Sequence, residues 1–229
     1  MELTIKTLVL STATFGLMLS VTQNAQAATL IPGVTASTTI STQWALNNAV
    51  NGQGLLGNTP SLTGVHGESL NGNSWRSNIL SNTEGTTIPS GTITFNLNGS
   101  YNLSGFTFWN LGGGSTALTR QGINNVTIEY SNNGGTTWST LSGAPTSFTQ
   151  GTFGTPGTNQ TPQAFSFASV AATNVRFTNL SNFGGLPTAE NRIGFSEIQF
   201  AAGTKIPEPS SLLALLAFGL AGVSLGKRI

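Results

Sequence analysis

The chain has 229 residues, no Cys and no Asp, and charged residues make up only 7% of it, for a formal net charge of +1. Between residues 28 and 206, five Glu balance five basic residues, so the composition offers no attraction for nucleic acid or for an anionic membrane surface. The absence of Cys also excludes a disulfide scaffold and a cysteine nucleophile.

The N-terminal segment has the pattern of a secretory signal peptide. Lys6 precedes an apolar stretch from Leu8 to Val21, and Ala25-Gln26-Ala27 supplies the small residues of a cleavage site. We therefore assign residues 1–27 to a signal peptide and expect an exported protein. Residues 28–205 then form a single domain, long enough to bury a sizeable core.

The body of the chain shows the period-two pattern of strands. Polar and apolar residues alternate over Thr92–Leu97 and Asn125–Tyr130. Apolar residues two positions apart also occur later in the chain, at Phe165 and Phe167, at Val175 and Phe177, and at Ile198 and Phe200. This alternation predicts strands with one buried face and one solvent face.

Turn signals separate the strands, and helical patterns are nearly absent. Asn132-Asn133-Gly134-Gly135 accepts the positive φ of a hairpin turn between Tyr130 and Trp138. Gly112–Gly114 is predicted to be a plain turn with no helix after it, and the only helix expected in the body is a turn or two near Gln43–Val50. The predicted fold class is all-β, an antiparallel β-sandwich or jelly roll.

The C-terminal tail is the most distinctive segment. Pro207-Glu208-Pro209 precedes an uncharged run of 17 residues, Ser210 to Gly226, which is closed by Lys227 and Arg228. An apolar helix of about 20 residues can cross a bilayer, and a basic end stays on the cytoplasmic side. The tail is therefore predicted to be a transmembrane helix, either as an ordinary membrane anchor or as a sorting signal.

These tail residues resemble the PEP-CTERM sorting signal of exopolysaccharide-producing bacteria. The resemblance covers residues 206–229 and implies recognition by an exosortase, with transient anchoring in the inner membrane through the helix. It further implies delivery to the cell surface or the extracellular matrix.

Four motifs of the body occur in the order of a discoidin-like domain. They are Tyr101–Asn110, Val126–Ser131 with Gly134–Trp138, Val175–Phe177, and Gly194–Phe200. This family, also called the coagulation factor type C domain, is a galactose-binding-like jelly roll. The resemblance implies an eight-stranded β-sandwich whose loops at one end bind sugars, phospholipid head groups or proteins.

The same resemblance implies a structural calcium ion. Glu197 matches the acidic ligand of the last strand, Asn51-Gly52 stands where members usually have Asp-Gly, and Glu68 is a further candidate. Because calcium affinity follows the number of charged ligands, Asn51 should weaken binding. The alternative for Glu197 is a strand carboxylate paired with a surface Arg.

Candidate ligand contacts lie in the loop-rich stretch before Thr92. Sugar sites use aromatic faces with nearby hydrogen-bonding groups, which points to Trp44, His66, Trp75 and Arg76. For Trp75 the alternative is a core position, and for His66 a hydrogen-bonded loop residue. Trp109 and Trp138 fall in or beside strands and are expected to be packing residues.

The residues of the chain give little support for a catalytic site. The chain lacks the Asp and the Gly-x-Ser-x-Gly turn of a serine hydrolase, and it lacks a His and Cys cluster for zinc. We therefore expect an exported, non-catalytic module that binds carbohydrate or exopolysaccharide and no nucleic acid. The alternative is a structural surface or matrix protein that acts by self-association or as a glycosylated carrier.

Overall fold

Antiparallel strands account for most of the regular structure in the residues that the computed structural model describes, which are 28–80, 91–155, 157–185 and 190–203. The strands of these ranges are β1 (Thr29–Leu30), β2 (Thr35–Thr38), β3 (Thr42–Trp44), β4 (Trp75–Ser77), β5 (Ile93–Asn110), β6 (Thr127–Ser131), β7 (Ser139–Thr140), β8 (Gln163–Thr178) and β9 (Gly194–Ala202). Short helices join them: 3₁₀ helices at Leu46–Ala49 and Leu56–Asn58, and α1 at Thr116–Arg120.

The strand order is β3-β4-β9-β5-β8-β6-β7, with β1 beside β9 and β2 beside β5. The long strand β5 pairs first with β2 and the end of β8, then with β9 and the start of β8. A register irregularity between Asn96 and Tyr101 separates the two parts of β5, and irregularities of this kind bend a strand. The two ends of β5 can therefore belong to the two different layers of a sandwich.

Aromatic side chains fill the space between the layers. Phe95, on the first part of β5, contacts Phe200 of β9 with ring centroids 5.2 Å apart, although these two strand segments are not paired with each other. Phe106, Phe177 and Phe195 belong to the same fully or almost fully buried cluster. Contact across the layers places the core in the interior of a β-sandwich, which confirms the predicted fold class.

The predicted hairpin is present, because Glu129 of β6 faces Thr140 of β7 and Tyr130 faces Ser139. The short helix expected near Gln43–Val50 is the 3₁₀ helix Leu46–Ala49.

Two sequence expectations are wrong. A five-residue helix, α1, follows the glycines at 112–114, where a plain turn was expected. Strand β9 is buried on both faces from Gly194 to Ala201 and has no solvent face. The reason is that the segment after β3 covers its outer side: Gln199 donates to the carbonyl of Val50, and Ser196 bonds to Ser69.

The predicted signal peptide, the motif Pro207, Glu208 and Pro209, and the predicted tail helix lie outside the described residues. Within the described ranges, no helix is both long and apolar enough to cross a membrane.

Candidate binding cleft

Strands β3 and β4 bring Trp44 and Arg76 together. The two residues are cross-strand partners, and the guanidinium carbon of Arg76 lies 3.8 Å from the centroid of a Trp44 ring. Successive side chains of a strand point to opposite faces, so Trp75 enters the core while Arg76, half-buried, stays on the outer side. The stack fixes the plane of the guanidinium and desolvates it in part.

Two glutamines hold Arg76 at its edges. Its Nε and Nη2 donate to Gln43 Oε1 at 3.0 and 2.7 Å, and Nη1 donates to Gln121 Oε1 at 3.2 Å. Gln121 in turn donates to the carbonyl of Glu190 at 3.0 Å. Partial burial and the nearby charge of Arg192 lower the pKa of Arg76 to about 10. The guanidinium therefore stays protonated at neutral pH.

A cleft of about 560 Å³ opens beside this pair. It is lined by residues of β3, β4, α1 and the loops beside them: Trp44, Glu68, Ser69, Leu70, Arg76, Gly114, Ser115, Ala117, Leu118, Gln121, Glu190 and Arg192. This volume lies within the range of about 300–1,000 Å³ that is usual for small-molecule sites.

Glu68 forms part of the wall on the glycine-loop side. Its two carboxylate oxygens accept hydrogen bonds from the backbone N–H groups of Gly114 at 2.9 Å and Gly157 at 2.8 Å. These bonds lower the pKa of Glu68. Gly113 permits this approach, since its φ is +144° and a Cβ there would lie 2.5 Å from the Glu68 side chain. Glu68 thus joins two glycine loops at the cleft.

The buried side chain of Asn110 anchors the segment that carries α1. Asn110 donates to the carbonyls of Ile123 and Thr149 at 2.8 and 3.0 Å, and accepts from the N–H groups of Leu111 and Ile123 at 3.0 and 2.9 Å. The side chain therefore pins both ends of the segment that runs from residue 111 to residue 123. Because unsatisfied buried groups are costly, this arrangement holds the α1 side of the cleft in place.

Trp75 and His66 do not reach the cleft, which corrects the prediction that they contact a ligand. Both are fully buried, at 0% exposure. Trp75 packs on Phe195 with centroids 5.6 Å apart. The ring nitrogens of His66 lie 2.8–3.0 Å from the carbonyls of Gly67, Gln53 and Asn73, so His66 fastens the loop between β3 and β4. Burial lowers the pKa of His66, while the carbonyl contacts act in the opposite direction.

Each of the three residues considered for calcium has hydrogen-bond partners of its own. Glu197 is fully buried on β9, where Oε1 accepts from the N–H of Gly52 at 3.2 Å and from the side chain of Gln199. Asn51 is exposed and its Oδ1 accepts from the Gln53 N–H, while Glu68 is bonded to the glycine loops. Across the described ranges, no three His, Asp or Glu side chains converge on a possible metal position.

Glu197 nevertheless has an unusual environment. Its Oε2 is buried and has no hydrogen-bond partner. Burial, which outweighs the bonds from Gln199 and Gly52, raises its pKa to about 8. The surface Arg that was considered as its partner is therefore not there, since Glu197 does not lie at the surface.

Sequence reasoning missed Gln43, Gln121, Glu190 and Arg192. Arg192 and Arg76 are separated by 116 positions in the chain, and no short motif links them. Gln43 precedes Trp44, and strand alternation would place the two side chains on opposite faces. The register irregularity of β3 between Thr42 and Trp44 accompanies the contact of both with Arg76, and no sequence pattern predicted it.

The sequence profile of the F5/8 type C domain matches residues 33–192. This match spans more than half of the chain. The chain belongs to the F5/8 type C domain family. The profile of the PEP-CTERM protein-sorting motif matches residues 205–228. Both resemblances stated from the sequence are thereby confirmed.

Solved structures are similar to this F5/8 type C domain. One is module CBM32-3 of a family 31 glycoside hydrolase from Clostridium perfringens, at 18% identity and a TM-score of 0.50, with 77% of this chain and 95% of that chain covered. Another is the family 32 CBM of Clostridium perfringens NanJ in complex with galactose, at 16% identity and a TM-score of 0.49, with 76% and 99% covered. A search of curated proteins finds no match.

Proposed function

We propose that this F5/8 type C domain is an exported, non-catalytic module that binds carbohydrate in the cleft beside β3, β4 and α1. The observation that carries the proposal is the pair of Trp44 and Arg76, which line the cleft with Gln121 at one wall. An aromatic ring packs against the apolar face of a sugar, and polar side chains held in place form hydrogen bonds with its hydroxyl groups. Preorganised donors also reduce the entropy lost on binding.

The family and the tail support this proposal from two directions. The solved module of a family 31 glycoside hydrolase, named as a carbohydrate-binding module, has the same fold. The PEP-CTERM motif favours processing by an exosortase and delivery to the cell surface or matrix, where extracellular polysaccharide is the available ligand. The tail helix would hold the chain in the inner membrane until it is processed.

We also propose a calcium ion at Glu197, held by its carboxylate and by neighbouring backbone carbonyls. The unpartnered, buried Oε2 supports the proposal, because a buried carboxylate without a partner is costly. Calcium would supply the missing positive charge and fix the loop that contains Gly52. Calcium should raise the melting temperature of the native protein above pH 8 and leave that of the Glu197→Gln variant unchanged. An equal response of both proteins would contradict this site.

A glycan array, followed by pull-down with the producer's own exopolysaccharide, tests carbohydrate binding. The Trp44→Ala variant should lose binding, while the Trp138→Ala variant should retain it, because Trp138 stacks on Arg176 outside the cleft. Absence of binding to every glycan, with calcium present, would refute the proposal. Oligomers that form regardless of sugar would then favour the structural alternative.

A further inference from the structure

Two positive groups line the cleft without a negative partner. Among the described residues the one ion pair joins Arg176 to Glu129, so neither Arg76 nor Arg192 has a carboxylate within ion-pair distance. The two are close enough for the charge of Arg192 to lower the pKa of Arg76, and no carboxylate acts in the other direction. Repulsion between like charges in a partly buried site is relieved when an anion binds between them.

Arg76 retains the donors that such an anion needs. A guanidinium has five N–H groups, one on Nε and two on each terminal nitrogen. The bonds to Gln43 and Gln121 use three of them, so one N–H on each terminal nitrogen has no partner among the residues described. These two N–H groups can donate charge-assisted hydrogen bonds to the oxygens of a carboxylate, an anion that arginine binds well.

Arg192 adds a second, less restrained guanidinium. Its Nη1 donates to the carbonyl of Ser77 at 3.2 Å, which anchors the side chain at the end of β4. Its other donors have no partner in the described ranges. Arg76 and Arg192 thus give the cleft two charged groups on one side, next to the Trp44 ring.

Neither of the two carboxylates that line the cleft lies within ion-pair distance of Arg76 or Arg192 in the described residues. Glu68 is directed to the N–H groups of Gly114 and Gly157, as described above. Glu190 is exposed, and its backbone carbonyl is what contacts Gln121. The cleft therefore has a cationic side at Arg76 and Arg192 and an acidic side at Glu68.

We propose that the ligand of this cleft is an acidic saccharide, whose carboxylate binds Arg76 and Arg192 while its ring lies near Trp44. The inference rests on the proposed carbohydrate function and adds the class of sugar, a uronic acid or another sugar that carries a carboxylate. The acidic side of the cleft also disfavours a ligand with dense negative charge, so one carboxylate in the site fits better than a sulfated chain.

Calorimetry with a matched pair of probes tests the charge of the ligand. The probes are trigalacturonic acid and its fully methyl-esterified form, which share rings and linkages and differ in the charge of the carboxyl groups and in the small ester methyl groups. We expect the acid to bind at least tenfold more tightly, with the preference reduced at high salt. Arg76→Gln and Arg192→Gln should each remove most of the preference. Arg120→Gln is the control, because Arg120 donates to the Gly185 carbonyl and does not line the cleft.

The outcomes separate this inference from the function on which it rests. Equal or tighter binding of the ester overturns the acidic preference and leaves carbohydrate binding in place. Binding of neutral glycans on the array, with no binding of trigalacturonic acid, likewise overturns the acidic preference and leaves carbohydrate binding in place. An array without any ligand overturns both. If Arg76→Gln fails to fold, as judged by its melting curve, Arg192→Gln alone decides whether the preference depends on the cationic side.

Discussion

Substitution of Glu197 by Gln should change how stability depends on pH. The carboxyl of Glu197 is fully buried, and its pKa is raised to about 8 from an ordinary value near 4.5. Since the folded state holds the proton more tightly than the unfolded chain, the contribution of Glu197 to stability is complete below pH 4.5. It is lost progressively as the pH rises through 8.

The pKa difference sets the size of the effect. At about 1.36 kcal/mol per pH unit, the interval from 4.5 to about 8 corresponds to roughly 5 kcal/mol of stability lost on ionisation. For a domain of this size, each kcal/mol changes the melting temperature by about 2–4 °C. Between pH 5 and pH 9 the loss from Glu197 is about 4 kcal/mol, so ionisation of Glu197 by itself should lower the melting temperature by about 8–16 °C, measured in the presence of a chelator as the difference between the native protein and a variant without this carboxyl.

The Glu197→Gln variant keeps the shape and removes the ionisation. The two proteins should have similar stability near pH 5, where the native carboxyl is protonated, and the variant should be more stable by several kcal/mol at pH 9. His66 titrates in both, so the difference between them isolates Glu197. Glu190→Gln is the control, because Glu190 is exposed, and should follow the native curve.

Urea unfolding between pH 5 and pH 9, monitored by tryptophan fluorescence, measures this difference. Parallel curves for the native and Glu197→Gln proteins would show that the carboxyl ionises as easily in the fold as in water. That result would refute the role of burial at this position.

Further substitutions test the supports of the cleft. Asn110→Leu leaves four buried backbone groups without their hydrogen bonds, each worth about 1–3 kcal/mol and not fully additive, so the free energy of unfolding should fall by at least ~3 kcal/mol. Asn132→Ala, on the exposed hairpin turn, is the control and should change the free energy of unfolding little. An equal effect of the two substitutions would show that Asn110 does not anchor the segment that carries α1. Gly194→Ala places a Cβ 2.3 Å from the Trp75 carbonyl oxygen, so β4 must move; we expect a loss of about 1–3 kcal/mol together with weaker saccharide binding. Gly72→Ala, at a position where a Cβ meets nothing within 4 Å, is the control for Gly194→Ala. Unchanged saccharide binding by Gly194→Ala would show that binding does not depend on how β4 packs on β9.

The strand content could be predicted from the sequence because apolar residues at alternate positions are typical of strands. Phe95, Phe177 and Phe200 were all located by that pattern and lie in the core. The burial of both faces of β9 was not predictable, because the covering segment after β3 has no regular pattern of its own. The helix α1 was missed since five residues are too few to show a helical period.

Half of the predicted ligand residues lie at the cleft. Trp44 and Arg76 were identified from residue type, and the structure brings them together as cross-strand partners. Trp75 was a wrong candidate because residues adjacent in a strand face opposite ways, and the sequence did not show which side was the core. Gln121 and Arg192 come from distant loops, so their place at the cleft follows from the fold and from no local motif.

The position of the saccharide is most directly observed through the indole N–H signals of the tryptophans in a nitrogen-proton NMR spectrum. The chain has four Trp, of which Trp44 lines the cleft, Trp138 lies outside it, and Trp75 and Trp109 are fully buried. On titration with fragments of the producer's exopolysaccharide, the Trp44 signal should move in a saturable manner while that of Trp138 stays in place. Saturable binding that leaves the Trp44 signal unchanged would contradict the assignment of the cleft.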